Sequence, residues 1–459
     1  MKSKKEKILI IGAGLCGSLL ALRLGQRGFQ VTLVEKRADL RKIEQDAGRS
    51  INLAFSDRGM KAMKMVGLEN EVEKLCLPMI GRMIHDKKSN KFMSLYSGKE
   101  NKYINSISRP GLNMLLLDSA EKLPNVSLIF NQSCKSLDFE NTTAVFKEYQ
   151  TNEYSTYKAD LIFGTDGAGS IVRNNMFDDK SIRLSFSIDW LSHSYKELTI
   201  PASKNGKFQD DPKALHIWPR GENMLISLPN LDGSFTVTLF LAHQTGKDNF
   251  EKLNTAEKVN EYFEREFPDA KALMPNLAKE FFENPTAYLG TVKCYPWNVM
   301  GKTLILGDAA HAIVPFYGQG MNASFEDVVV LDKFIEKHEG DWKTTFSEFE
   351  KERKIDADAI AELAIDNFHE MKEHVANPLF QEKRKLEVAL EDNFPKKYNS
   401  KYSLVTFNAD IPYSKAMKIG RAQDKAILNL LEDGKLKDTM SLEEKLTLVL
   451  NETKDYYKE

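Results

Sequence analysis

The stretch KILIIGAGLCG, Lys7–Gly17, constrains the fold of this chain more than any other. A short apolar run leads directly into glycines at positions 12, 14 and 17, and Leu15–Arg27 continues with helical spacing of its apolar residues. A second apolar run, Gln30–Glu35, completes a strand–helix–strand unit, which at the start of a chain predicts a doubly wound α/β domain. Each glycine has its own reason to be there. Gly12 allows the tight turn, Gly14 lets the backbone approach a pyrophosphate, and Gly17 lets helix and strand pack closely. Amide N–H groups at the helix start then face the anion. Glu35 closes the second strand about 20 residues on, where a carboxylate accepts hydrogen bonds from an adenosine ribose. These features predict a bound dinucleotide without choosing between NAD and FAD.

A chain of 459 residues exceeds one ordinary core, so two or three packed units are expected. Hydrophobic content of 42% with 28% charged residues is that of a globular chain, not a disordered one. A net charge of −2 gives no electrostatic reason to expect nucleic acid or an anionic membrane. The basic start MKSKKEK has no apolar run of a signal peptide behind it, and no apolar segment approaches the roughly 20 residues of a membrane span. A cytoplasmic chain without a membrane anchor is therefore expected, as a monomer or homodimer. Cys16, Cys76, Cys134 and Cys294 are widely spaced, which predicts reduced thiols and no metal site. His85, His216 and His311 have no cysteine or carboxylate at metal-ligand spacing, and no catalytic histidine is assigned. His311 is read as structural.

Two further stretches, DLIFGTDGAGSIVR (Asp160–Arg173) and TLILGDAAH (Thr303–His311), read as buried strands ending in glycine turns. Their distance from the first unit implies a discontinuous cofactor domain with another domain inserted. Within the insert, MLISLP (Met224–Pro229) and SFTVTLFLA (Ser234–Ala242) flank NLDG and predict an antiparallel hairpin forming one wall of a pocket. From Phe325 to about Val375 the pattern is helical. Beyond Asn377 it is charged helix, interrupted by a strand-like or loop segment, KYSLVTFNADIPY (Lys401–Tyr413), and closed by a solvated amphipathic helix.

The fingerprint alone leaves the cofactor open, but Asp166 in GTDG and Asp308 in LGDAAH stand at strand ends, where a carboxylate can hold the ribityl hydroxyls of a flavin. Taken in this order, the three motifs resemble those of the group A flavoprotein aromatic hydroxylases. Within that group, GRSINLAFSDRG (Gly48–Gly59), GRMIH (Gly81–His85), YKELTIP (Tyr195–Pro201), LHIWPRG (Leu215–Gly221), SLPNLDGSFTVTLF (Ser227–Phe240), LGDAAHAIVPFYGQGMN and KYSLVTF (Lys401–Phe407) are similar to the branch that hydroxylates L-kynurenine. The similarity runs from about Lys7 to Gly420, and the final ~40 residues carry no part of it.

The resemblance implies an α/β fold: a Rossmann-like FAD-binding domain in three pieces (1–75, 100–180 and 292–375), an inserted, mostly antiparallel β-sheet substrate domain (76–99 and 181–291), and a C-terminal helical region (376–459). It also implies FAD as cofactor, with NADPH and O2 consumed as a flavin C4a-hydroperoxide hydroxylates L-kynurenine to 3-hydroxykynurenine, a step of tryptophan degradation leading to NAD. No second dinucleotide fingerprint marks an NADPH site. Such chemistry needs no protein nucleophile or metal, so the implied residues position rather than react. Arg82 and Tyr96 would bind the amino-acid carboxylate, a guanidinium offering a two-pronged fork and a phenol one donor. Asn367 and Tyr402 would contact the same end of the substrate. Tyr317 replaces the family's histidine or phenylalanine near flavin and substrate.

Implied FAD contacts are Gly12, Gly14, Cys16, Gly17, Val34, Glu35, Lys36, Arg37, Ala54, Arg109, Cys134, Asp166, Asp308, Gly320, Met321 and Asn322. Cys16 and Cys134 act there through their backbone. The helix beginning near Gln319–Asn322 would aim its positive end at the flavin pyrimidine. Two other readings stand beside this one: a hydroxylase of the same mechanism acting on another aromatic or anthranilate-like acid, and a non-oxygenating FAD reductase or binding protein. A flavin halogenase is disfavoured because HIWP at His216–Pro219 is not its WxWxIP tract.

Overall fold

The computed structural model describes residues 6–43, 52–96, 102–370 and 378–457. Gly48–Ile51 of the GRSINLA stretch, and the domain boundaries expected at 99/100 and 375/376, lie outside the described residues. The chain divides into two compact units: Met1–Cys76, Ile107–Trp190 and Gly290–Ala361 in the first, and Leu77–Ser106, Leu191–Leu289 and Glu362–Glu459 in the second.

The first unit is built on a six-stranded sheet in the order Asn298–Val299, Thr303–Ile305, Leu161–Gly164, Lys7–Ile11, Gln30–Val34, Val126–Ile129. Every pairing is parallel except the first. Lys7–Ile11 has its sequence successor on one side and Leu161–Gly164 on the other, so its carboxyl end lies at the switch point where open α/β sheets bind ligands. The strands are near-continuous apolar runs because both faces are covered. A separate antiparallel sheet, Gln132–Asp138, Thr143–Glu148 and Tyr154–Lys158, carries Cys134.

Two helices of this unit are locked together by charge. Arg23, on the helix Leu15–Gln26, meets Asp332 of the helix Gly320–His338 with both prongs, at 2.7 and 2.8 Å, and Arg27 adds a contact at 2.5 Å. Burial pushes the Asp332 carboxyl up, but Arg27 and Arg23 outweigh it and hold the group below the usual aspartate range. The stability this lends is present above the ordinary aspartate pKa of about 4 and is lost as pH falls through the lowered folded-state value. Asp332→Ala should therefore destabilise the protein at neutral pH by about 1–3 kcal/mol. Its urea midpoint should also fall less on acidification than that of the wild type. Equal acid sensitivity in both proteins would contradict this account.

The second unit contains a seven-stranded sheet ordered Thr286–Tyr295, Ser185–Ile200, Phe235–Ala242, Asn223–Pro229, Ala214–Arg220, Gly81–His85, Lys91–Leu95. The described registers are antiparallel except that of Gly81–His85 with Ala214–Arg220. The hairpin predicted at NLDG is present, closed by Asn230 N–H to Ser234 O at 2.8 Å. Leu198, Trp218, Leu225, Val237 and Leu239 face a core shared with Val259 and Phe263 of the helix Ala256–Glu266.

The described helical residues from Glu362 onward belong to the same unit as this sheet. Two local expectations are corrected here. The segment expected as strand or loop at KYSLVTF is a helix, Lys401–Thr406. The β-branched Val405 and Thr406 suggested a strand, but the Ser400 hydroxyl caps the helix by accepting from Ser403 N–H at 3.3 Å, and Lys401 is tied to Asp424 at 2.6 Å and to Glu370. The tail helix Leu442–Tyr457 is not simply solvated. Ser441 and Glu444 form a reciprocal capping box, and Leu446 and Val449 are buried with Leu390, Ile427 and Leu430.

Candidate active site and cofactor cradle

The glycine turn of the first unit leaves a shaped space. Gly12 sits at φ +103°, and a Cβ there would lie 2.6 Å from Thr165 O; a Cβ on Gly17 would lie 2.0 Å from Gly12 O. Gly14 differs from both. It is the N-cap of Leu15–Gln26, has no side-chain cap, and a Cβ there would meet nothing within 4 Å. The open space in front of an uncapped helix start fits a pyrophosphate. Gly12 N–H donates to Val34 O at 2.8 Å, and the buried Glu35 accepts from Ala13 N–H at 2.8 Å and from Arg37 Nε at 2.8 Å. The carboxylate is thus fixed beside the turn, with exposed Lys36 and Arg37 next to it.

Arg109 is exposed at the first position of the helix Arg109–Glu121, whose cap is Ser108. A cation at a helix N-terminus opposes the helix dipole. Among the described residues Arg109 enters no ion pair, a situation that a bound phosphate would relieve. Asn113 of the same helix ties it to the glycine turn through Ser18 Oγ at 2.9 Å and Ala13 O at 3.3 Å.

The two aspartates expected at the flavin ribityl chain are placed differently. Asp308 is exposed just beyond Gly307, and among the described residues its carboxylate makes no hydrogen bond or ion pair. Asp166 instead directs its carboxylate to the start of the helix Ile171–Asp178, accepting from Ser170 Oγ at 2.5 Å and Ile171 N–H at 2.7 Å. Cys16 lies beside the Gly307 turn, its sulfur 3.7 Å from Ser324 O. Burial pushes its thiol well up and raises that of Cys134 to about 12, so both stay neutral.

Further along the chain, the buried Tyr317 closes the 3-10 turn Pro315–Tyr317, whose first residue is exposed. Gly318 follows at φ +69°, where a Cβ would come within 2.9 Å of the Ala54 methyl group. Asn322 binds these pieces together: its amide nitrogen donates to Ala54 O at 2.9 Å and Gly318 O at 3.0 Å, and its amide oxygen accepts from Ser56 N–H at 3.0 Å. The side chain of Asn322 is therefore engaged by protein. What Gly320, Met321 and Asn322 offer outward is the start of the helix Gly320–His338, which has no side-chain cap.

In the second unit, Arg82 on the strand Gly81–His85 lies with its guanidinium carbon 4.5 Å from the Tyr402 ring centroid and 5.8 Å from that of Tyr96. The two tyrosine rings stack 5.5 Å apart, and Phe407 packs edge-on against Tyr96 at 5.8 Å. Phe407 was not singled out from the sequence; its place at the end of KYSLVTF was the only signal. Asn367 is buried near the end of the helix Trp342–His369 in the same unit, whereas Tyr317 belongs to the first unit.

Among the described residues Arg82 forms no ion pair, and neither Arg82 Nε nor Tyr96 Oη, both sealed from solvent, has a hydrogen-bond partner. Burial pushes the Tyr96 phenol well up, keeping it a neutral donor. A buried guanidinium with an unpaired Nε and no acid beside it, set between two phenol rings, is a site for a carboxylate.

His85 and His216 form a network that their sequence spacing hid. His85 Nδ1 lies 2.7 Å from Asp269 Oδ2, its Nε2 lies 2.9 Å from His216 Nδ1, and His216 Nε2 lies 2.8 Å from Asp211 O. Ligand atoms of His85, Asp210 and His216 fall within 4.8 Å of one another. However, the histidine contact is a hydrogen-bond distance and Lys91 already meets Asp210 at 2.6 Å. The network pins the strand that carries Arg82 to Ala214–Arg220.

The comparisons with known proteins agree with this geometry. A family model described as an FAD binding domain matches residues 5–362. The chain is an FAD-dependent aromatic monooxygenase by family and fold. The kynurenine 3-monooxygenase of Dictyostelium discoideum is 46% identical over 97% of this chain and 96% of its own length; that of Myxococcus xanthus is 42% identical over 100% and 98%. The chain belongs to the kynurenine 3-monooxygenase family. Among solved structures, 2-methyl-3-hydroxypyridine-5-carboxylic acid oxygenase superposes with a TM-score of 0.65 at 20% identity, covering 86% of this chain and 99% of that one. PqsL of Pseudomonas aeruginosa gives 0.64 at 17%, covering 81% and 97%. Both likenesses are of fold. Among the described residues, no helix is long and apolar enough to cross a membrane.

Proposed function

We propose that this protein hydroxylates L-kynurenine at the carbon ortho to its ring amine, converting kynurenine, NADPH, O2 and a proton to 3-hydroxykynurenine, NADP+ and water. The observation that carries the reading is Arg82: a buried cation held against two tyrosine rings, its Nε unpaired and no acid beside it among the described residues, next to the buried Tyr96 phenol. An amino-acid carboxylate satisfies both groups. Bound FAD supplies the acceptance of hydride from NADPH and the activation of O2. The aniline nitrogen of kynurenine makes the ortho carbon electron-rich, so the protein has to orient the ring and keep water away.

The remaining residues divide by unit. Arg82, Tyr96, Tyr402 and Asn367 hold the amino-acid end of the substrate. Gly14 and the helix start behind it hold the pyrophosphate, with Glu35 at the adenosine ribose, Arg109 at a phosphate and Asp308 at the ribityl chain. Main-chain N–H groups of Met321 and Asn322 meet the flavin pyrimidine, with Tyr317 close to the ring. Four unpaired cysteines, three of them buried, fit the reducing cytoplasm.

The purified protein should be yellow, and kynurenine should accelerate its oxidation of NADPH. Protein without FAD would overturn the cofactor assignment. Acceleration by another aromatic acid but not by kynurenine would overturn the substrate.

A further inference from the structure

Asp327 is a fully buried acid that the reaction does not call for. It lies on the helix Gly320–His338, and its carboxylate gathers three partners from two other segments of the first unit. Oδ2 accepts from Gly307 N–H at 2.9 Å and lies 2.6 Å from His311 Nε2, while Oδ1 accepts from Arg353 Nε at 2.9 Å. Arg353, also buried, continues to Glu326 at 2.9 Å and Ala323 O at 3.3 Å, and Arg58 meets Glu326 from the other side. Burial pushes the Asp327 carboxyl up, but His311 and Arg353 more than reverse this and keep it ionised.

The carboxylate grips one particular turn. Gly307 takes φ +58° and ψ −142°, a conformation essentially confined to glycine, and a turn of this kind holds its shape only where its surroundings fix it. The next residue is Asp308, whose carboxylate is open. Asp327 therefore sets the direction in which Asp308 is presented, and Arg353 balances a negative charge that would otherwise lie buried behind the cradle.

We propose that Asp327 and Arg353 act as a charge-balanced positioning pair for the flavin: Asp327 fixes the Gly307–Asp308 turn that receives the ribityl chain, and Arg353 cancels its charge so that the reduced, electron-rich flavin is not repelled. The inference rests on the reading of Asp308 as a flavin ligand. It assigns to the pair a function in affinity and in redox potential, beyond holding two helices together.

The test compares FAD dissociation constants and flavin midpoint potentials for Asp327→Asn, Arg353→Met, Arg353→Lys and Asp308→Ala. Asp327→Asn keeps the shape and removes one buried negative charge from behind the cradle, while Arg353 still faces Glu326 and Asp356; it should weaken FAD binding about 10-fold and raise the potential. Arg353→Met leaves Asp327 unbalanced and should lower the potential, while Arg353→Lys, which keeps the charge, should stay near the wild type. Shifts of opposite sign distinguish charge from loosened packing, which would move both variants the same way. Shifts of the same sign, or wild-type FAD affinity in Asp327→Asn while Asp308→Ala loses FAD, would overturn the inference alone. Unchanged affinity in Asp308→Ala would overturn the cofactor reading and the inference with it. Should Arg353→Met fail to fold, Asp327→Asn against Arg353→Lys still gives the sign of the charge effect.

Discussion

Gly14→Val should fold like the wild type and emerge without FAD. Glycine turns are usually tested by substitutions that break the backbone, which confounds folding with binding. Gly12 and Gly17 have that defect, since a Cβ at either collides with main chain at 2.6 and 2.0 Å. Gly14 does not. Its φ of −70° and ψ of −176° suit any residue, and a Cβ there would meet no protein atom beyond its chain neighbours within 4 Å. Added methyl groups there have only the pyrophosphate to displace. FAD affinity should fall by about 100-fold or more, equivalent to about 2.7 kcal/mol or more, with an unchanged urea midpoint for the apoprotein. Retained FAD in a folded Gly14→Val protein would place the dinucleotide elsewhere.

Arg82→Met should weaken kynurenine binding by about 2–4 kcal/mol while leaving FAD bound. Methionine keeps most of the apolar length between the Tyr96 and Tyr402 rings but removes the charge and the fork. The same comparison with kynurenine lacking its carboxylate isolates the interaction. Wild type and variant should bind that analogue alike, because Arg82 then has nothing to pair with. If the variant loses the same free energy for both compounds, Arg82 shapes the pocket without binding the carboxylate.

What the sequence disclosed followed from how local the cause was. The glycine fingerprint, the NLDG hairpin and the helix start at Gly320 are set by residues a few positions apart, and each was legible. The helix Lys401–Thr406 was not, because its cap at Ser400 and the ion pairs of Lys401 outweigh the strand preference of Val405 and Thr406. Asp166 and Asp308 looked alike in sequence, each beside a glycine at a strand end. They part only because Ser170 and Ile171 bring a helix start to Asp166, whereas Asp308 stands open. The links from Asp327 to Gly307 and Arg353, like that between His85 and His216, join residues far apart in the chain, and no periodicity announces them. Arg82 was found by resemblance alone. Its lack of an ionic partner among the described residues became a physical argument only when its surroundings were seen.

Identification of the product after incubation with L-kynurenine, NADPH and O2 tests the central claim most directly. 3-Hydroxykynurenine should form in step with NADPH consumed. NADPH consumption that yields hydrogen peroxide and leaves kynurenine unchanged would contradict it.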